Sequence, residues 1–222
     1  MSMQLHLHSW YYNINMSLIL DLLFPSRCYS CGKIGKYFCK KCTKDIFPLS
    51  LDPSGNRLSL FKYNDVIRKA ITDLKYGFVT DIIDELTDIS AKSIKSNYPH
   101  LLKYWQKNKF IIIPIPLHWT RRNWRSFNQS DLLAKNIAKK IKLNYIPNLL
   151  TKTKNTASQA SFLHKISRTK NLNHAFTHNP NITIPKNIII FDDVYTTGAT
   201  LNSAASILKS NCHEIWFLTL AG

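Results

Sequence analysis

The thirteen residues Ile188-Ile189-Ile190-Phe191-Asp192-Asp193-Val194-Tyr195-Thr196-Thr197-Gly198-Ala199-Thr200 combine three features that together could do chemistry. An apolar, β-branched run reads as a buried strand. It delivers two adjacent carboxylates to the carboxyl edge of a sheet, where ligands bind in open α/β folds. The Gly- and Thr-rich turn after them opens a helix, so its backbone N–H groups and hydroxyls form an anion cradle reinforced by the helix dipole. A phosphate held by Thr196, Thr197, Gly198, Ala199 and Thr200 would set a sugar ring back over Asp192 and Asp193, whose oxygens accept hydrogen bonds from its 2′- and 3′-hydroxyls, with Val194 and Tyr195 between them as part of the same ligand site. This outlines a 5-phosphorylated ribose site. An ordinary capped helix after a strand would not require paired carboxylates, which are costly to bury without partners.

A second constellation lies near the other end. Cys28-x2-Cys31 and Cys39-x2-Cys42 are two tight turns, each offering two thiolates to one tetrahedral ion, and the gap of seven residues between them puts the turns side by side. The expected metal is structural zinc, because four cysteines leave no open coordination position. Disulfides are the competing reading, disfavoured in a reducing compartment. Cys212 is left over and reads as a small buried hydrophobe.

The charge is uneven. The chain carries 30 Lys and Arg against 13 Asp and Glu, a net +17. From Leu101 to Asn181 fifteen basic residues accompany a single acid, Asp131, so that stretch alone carries +14. Such a field attracts polyanions: nucleic acid, anionic lipid or a phosphorylated small molecule. A merely solubilising surface is the plainer alternative. Trp119, Trp124, Phe127 and Phe162 are interleaved with these cations, the combination used to stack on single-stranded bases, although core packing accounts for many such aromatics. Single-stranded DNA is therefore expected across Arg121, Arg122, Trp124, Arg125, Lys139 and Lys140.

The elements that must position these groups alternate along the chain. Hydrophobic content of 45% is that of a packed globular protein, and 222 residues suit one α/β domain plus a small appendage. Met1 to Asn15 lacks periodicity and reads as a tail. Residues 16–50 read as an apolar helix stopped by Pro25, followed by the cysteine module, and residues 51–222 as the main domain. Within it the pattern predicts a strand over Leu58–Tyr63, helices from Asp65 and over Asp81–Lys95, a buried strand over Phe110–Ile115 and a helix over Gln129–Ile141. A long hairpin or loop is expected over Leu149–Phe176, then a strand over Asn187–Asp192, a helix over Ala199–Lys209 and a strand over Glu214–Leu220. Alternation of this kind argues for a parallel sheet flanked by helices. No stretch reaches the roughly 20 apolar residues of a transmembrane helix, and Leu18–Phe24, broken by Asp21, lacks the flanks of a signal peptide. A cytoplasmic location is expected.

The pattern Phe191-Asp-Asp-Val-Tyr-Thr-Thr-Gly-Ala-Thr200 resembles the signature that binds phosphoribosyl pyrophosphate (PRPP) in type I phosphoribosyltransferases. The order of Leu22-Leu23-Phe24-Pro25 before the knuckles, Leu74-Lys75-Tyr76-Gly77, Pro114-Ile-Pro116-Leu117-His118, Arg125-Ser-Phe127-Asn128-Gln129 and Asn171-x3-Ala175-Phe176 resembles the ComF family of competence-associated proteins. The resemblance covers almost everything from Met16 onward. It implies a type I phosphoribosyltransferase-like α/β fold with a small N-terminal four-cysteine zinc finger. It also implies a pyrophosphate loop from His118 to Gln129 that uses Arg121, Arg122 and Arg125. A hairpin with Lys152, Lys154, Gln159 and Arg168 would close over the ligand, Arg168 joining Asp192 and Asp193 in the chemistry. Magnesium would accompany PRPP.

Two departures stand out: Ser126 replaces a glycine common in the family loop, and Lys152 and Lys154 stand where arginines are usual, exchanging bidentate for point-charge contacts. Two functions remain open. One is a protein that handles single-stranded DNA during natural transformation, binds PRPP, and meets the DNA-translocation machinery at the inner membrane. The other is an active transferase that moves 5-phosphoribose from PRPP to a base or amine. A weaker third reading gives the DNA contact to the knuckles and their lysines, Lys33, Lys36, Lys40 and Lys41.

Overall fold

The computed structural model describes residues 25–46, 52, 55–77, 79–120, 127–153 and 175–222. They fall into two units, 1–45 and 46–222. In the second, the chain runs through β1 (Arg57–Phe61), α1 (Asp65–Tyr76), α2 (Ile82–Asn97), α3 (Pro99–Lys107), β2 (Ile111–Pro114), α4 (Gln129–Ile141) and β3 (Asn144–Tyr145). It continues through β4 (Leu150–Lys152), β5 (Phe176–His178), β6 (Asn187–Val194), α5 (Ala199–Leu208) and β7 (Glu214–Ala221).

Five strands form one sheet in the order β1-β7-β6-β2-β3, with every pairing parallel. From β2 the chain leaves through α4 to β3 on one side, and from β6 it leaves through α5 to β7 on the other. Two adjacent central strands thus send their connections in opposite directions, and beyond the carboxyl ends at such a reversal open α/β sheets form their ligand crevice. The register fixes what enters it. Pro114, the last residue of β2, pairs with Phe191, so the next two residues of β6, Asp192 and Asp193, lie past the end of that ladder.

Side-chain alternation divides the sheet's two faces. Ile188 and Ile190 join Ile113, Leu150, Phe176, Leu201 and Leu208 on the face covered by α5 and the β4–β5 pair. Ile189 and Phe191 point the other way and are fully buried. On α4 the buried positions Leu133, Ala134, Ile137 and Ile141 recur at helical spacing, and the helix packs on β2, β3, β6 and α2.

Two of the helices that reach the crevice, α1 and α4, begin with an asparagine cap. Asn64 accepts a bond from the N–H of Ile67 at 3.0 Å, and α1 then buries Ile67, Ala70, Ile71 and Leu74. Asn128 accepts from the N–H of Ser130 at 3.1 Å and donates through Nδ2 to the carbonyl of Ile115 at 2.9 Å. It therefore ties the start of α4 to the segment leaving β2.

The parallel α/β sheet is as expected from the sequence, and α4 has the expected bounds. Helix α2 runs to Asn97, two residues further than the pattern suggests. Helix α3 has no counterpart in the sequence pattern: with Leu102 and Trp105 as its buried residues, its apolar stripe is too short to register as a period. The two-residue strand β3 is likewise too brief. β4 and β5 pair in antiparallel fashion as the base of a hairpin; the helix expected before Pro25 and residues 154–174 between those strands lie outside the described residues.

Replacing Asn128 with alanine removes the cap of α4 and leaves the Ile115 carbonyl without this donor. It is expected to lower stability by about 1 kcal/mol, read as a reduced midpoint in urea denaturation.

Candidate functional site

The two carboxylates at the end of β6 are held by side chains from two helices. Asp193 is buried, its side chain 8% exposed, and its Oδ2 is ion-paired with the ammonium of Lys75, from the last turn of α1. Gln129, the first residue of α4, donates through Nε2 to the same Oδ2 at 3.1 Å. The next residue, Ser130, donates its hydroxyl to Oδ1 of Asp192 at 3.0 Å, and that oxygen also accepts the N–H of Asp193 at 2.9 Å. Lys75 sits where a helix carboxyl end favours a cation.

These surroundings separate two acids that are neighbours in sequence. Burial pushes Asp192 up, the adjacent Asp193 charge adds to that, and the opposing pull of Lys75, the Asp193 N–H and Ser130 leaves it at about 7. Burial works on Asp193 in the same direction, but Lys75, Gln129 and the Val194 N–H outweigh it and hold this carboxyl below its ordinary value.

The turn after β6 has the backbone an anion cradle requires. Gly198 has φ +72°, in the left-handed region, and is the N-cap of α5. A methyl group there would lie 2.4 Å from the Tyr195 hydroxyl. Tyr195 thus packs directly beneath the turn, while the guanidinium of Arg57, itself ion-paired with Asp52, lies 3.9 Å from the centre of its ring. Thr196 and Thr197 are exposed, and Thr197 Oγ1 accepts from the N–H of Ala199 at 3.4 Å.

Asp192, Asp193, Val194, Tyr195, Thr196, Thr197, Gly198, Ala199 and Thr200 are therefore contiguous at one end of the sheet. Arg121, Arg122, Trp124, Arg125, Ser126, Lys154, Gln159, Phe162 and Arg168 lie outside the described residues. Lys139 and Lys140 do not converge on the crevice. They occupy the last turn of α4, about 15 Å along the axis from Ser130 at 1.5 Å per residue, and Lys140 pairs with Asp88 at 2.7 Å. On the segment leaving β2, His118 is buried and its Nδ1 lies 2.9 Å from the Thr120 hydroxyl. The neighbouring Trp119 is 65% exposed.

The sequence pattern assigns no role to Lys75 or Ser130. The signals for Lys75 are its place in the Leu74-Lys75-Tyr76-Gly77 motif, to which no function attaches, and its position directly after the buried Leu74 at the end of the apolar stripe of α1.

In the first unit the four cysteines converge. The Sγ atoms of Cys28, Cys31, Cys39 and Cys42 all lie within 4.8 Å of one another, and Cys31 and Cys39 are 3.7 Å apart. Zn–S bonds of about 2.3 Å in a tetrahedron require sulfur separations of roughly 3.8 Å, so the cluster could hold a metal such as zinc. The turns are closed by Gly32 N–H to the Cys28 carbonyl at 2.8 Å and Thr43 N–H to the Cys39 carbonyl at 2.9 Å. Burial opposes ionisation of Cys28, but N–H groups of Cys39, Cys31 and Ser30 bring its thiol down to about 6. Cys39 is lowered too, chiefly by the N–H of Cys42. Thiolates are the form that binds metal.

Gly198→Ala should abolish anion binding by the turn, through both the left-handed backbone and the Tyr195 contact, and phosphate titration followed by NMR shifts of the Thr196–Thr200 amides would show it. Elemental analysis of unchelated protein should find about one zinc per chain, with Cys28→Ser losing metal and unfolding the first unit.

Comparison with known proteins places these features. No family model matches the chain. Competence protein ComFC of Bacillus subtilis is 30% identical over 215 aligned residues, covering 85% of this chain and 81% of that protein. Competence protein F of Haemophilus influenzae is 26% identical over 192 residues, 82% of this chain and 78% of that one. The DNA utilization protein YhgH of Escherichia coli K12 is 36% identical over 114 residues, 48% of each, so the match spans about half the length of that relative. Among solved structures, a hypoxanthine phosphoribosyltransferase from Staphylococcus aureus gives a TM-score of 0.40 at 15% identity over 62% of each chain, too distant to carry weight. The similarity to ComFC along most of both proteins is decisive, and the chain belongs to the ComF family of competence proteins.

Proposed function

We propose that this ComF-family protein binds PRPP, or another 5-phosphorylated ribose, in the crevice between β2 and β6, and handles single-stranded DNA during natural transformation. The observation that carries the first part is the paired carboxylates at the strand-order reversal, followed directly by a left-handed glycine turn at a helix N-terminus. In that order the site offers acceptors to sugar hydroxyls and donors to a 5′-phosphate. Magnesium would arrive on the pyrophosphate of the ligand and neutralise it, with Arg121 and Arg125, which follow β2 in the sequence, as its cationic partners. Zinc in the cysteine cluster has all four positions filled by protein and folds its unit without catalysing a reaction.

The DNA part rests on the +14 stretch, on the exposed indole of Trp119 on the segment leaving β2, and on relatives whose names refer to competence and DNA utilization. Arg121, Arg122, Trp124 and Arg125 follow Trp119 closely in sequence. Lys139 and Lys140 would contribute only to a strand that also runs along α4. The protein is expected to work in the cytoplasm, beside the DNA-translocation machinery of the inner membrane; among the described residues no helix is long and apolar enough to cross a membrane.

A second reading, an active phosphoribosyltransferase, has one observation in its favour. Carboxylates beside the sugar are where an oxocarbenium-like transition state needs negative charge. Release of pyrophosphate from magnesium PRPP in the presence of the common nucleobases would select it; no release in any mixture would exclude it.

Magnesium PRPP is expected to raise the thermal midpoint by linkage, and Asp192→Ala with Asp193→Ala should remove that shift without unfolding the apo protein. An undiminished shift in the double variant would place the ligand elsewhere. Affinity for short single strands should fall steeply with salt, each lost phosphate contact lowering the log–log slope by roughly one. Trp119→Ala should cost about 1–3 kcal/mol if the indole stacks on a base.

A further inference from the structure

We propose that Lys75 makes the acidic pair unequal, committing Asp193 to the protein and leaving Asp192 as the carboxylate that meets a sugar hydroxyl. The inference rests on reading the crevice as a 5-phosphoribose pocket, and it concerns a residue to which that reading gives no part.

The geometry divides the two acids. On Asp193, Oδ2 already receives the Lys75 ammonium and the Gln129 amide, and the side chain is nearly closed to solvent. One carboxylate oxygen offers about two acceptor sites, so that oxygen is filled, and Oδ1 is shut away with the rest of a side chain only 8% exposed. On Asp192, Oδ1 takes the Ser130 hydroxyl and the Asp193 N–H, while no group among the described residues bonds Oδ2. The half-buried Asp192 therefore keeps one acceptor that no described group fills.

The charges around the pair come from few places. Lys75 is the cation that α1 brings, its neighbour Asp73 being paired with Lys69. From α4 come the uncharged Gln129 and Ser130, with Asp131 turned to the hydroxyl of Tyr145. After β2, His118 is bonded to Thr120. Helix α5 has no charged side chain. Among the described residues one cation, Lys75, pairs with Asp193 and none with Asp192, so Asp193 is the better compensated of the two and Asp192 keeps a proton more readily.

This has a sign. Asp192 sits at about 7 in the fold against an ordinary 3.8, so between those values the folded chain holds an extra proton and this group's contribution to stability declines as pH rises through that window. A sugar hydroxyl donating to Asp192 favours its ionised form. Binding then releases a proton below pH 7, and affinity rises with pH until it levels off above 7.

The test begins without any ligand. In the unliganded full chain, NMR titration of aspartate carboxyl carbons should show Asp193 ionised from pH 5 to 8 and Asp192 titrating near 7. In Lys75→Met the Asp193 titration should move up by on the order of one pH unit or more, whereas Lys75→Arg should leave it in place. If Lys75→Met does not fold, Gln129→Leu removes the other donor and must move Asp193 in the same direction. Identical Asp193 titrations in wild type and these variants would overturn the proposal, because a lysine that only packs α1 would change stability and not this curve.

The second arm measures magnesium PRPP affinity between pH 5.5 and 8.5. The phosphates of the ligand titrate in the same range and give every variant a common slope, so the reading is the difference: wild type should gain more affinity per pH unit below 7 than Asp192→Asn, and Lys75→Met should displace that extra gain to higher pH. Equal slopes in wild type and Asp192→Asn would also overturn the assignment. If PRPP binds at no pH while the NMR curves move as expected, the pocket reading fails and the inequality of the pair stands.

Discussion

Two carboxylates at the end of an apolar strand are the constraint on which the rest of the larger unit depends. Ile188 to Phe191 are fully buried, so the hydrophobic effect places β6 in the middle of the sheet regardless of the residues beyond it. Those residues are Asp192 and Asp193, and a pair of acids carried into a poorly solvated position is stable only with partners. The partners are far away in sequence. Lys75 comes from the end of α1, and Gln129 and Ser130 come from the start of α4. The acidic pair therefore gathers side chains from both helices, while the helices themselves are set by their asparagine caps and buried stripes.

The same logic of satisfied polar groups runs through the neighbouring turn. Gly198 can take its left-handed conformation because it lacks a side chain, and Tyr195 fills the space a side chain would have used. Arg57 in turn lies against the Tyr195 ring and is held by Asp52. The turn thus gains its definition from the packing beneath it. In the cysteine unit the backbone does comparable work, since N–H groups directed at Cys28 and Cys39 favour the thiolate before any ion is considered.

Membership of the ComF family gives these parts a setting in competence, and the charge distribution is consistent with it. A pocket for one phosphorylated sugar needs a few cations; fifteen in eighty-one residues is a field on the scale of a polymer. The structure also spreads that charge, with Lys139 and Lys140 a helix length away from the crevice and Lys140 shared with Asp88.

What the sequence determined by itself was everything with a local cause. The run Ile188 to Thr200 specified strand, acids, turn and helix, because strand period, glycine and hydroxyl spacing act over a few residues. The two CxxC turns specified a four-thiolate cluster for the same reason, and the stripe of α4 defined its bounds. Short elements such as α3 and β3 escaped, having too few residues to display a period. What only the tertiary structure decided was the inequality of Asp192 and Asp193. In sequence they are equivalent neighbours, but strand alternation turns them to different surroundings, and Lys75, on a helix distant in the chain, pairs with only one of them. That contact depends on the path of the chain between β1 and β6, which no local pattern around Lys75 encodes.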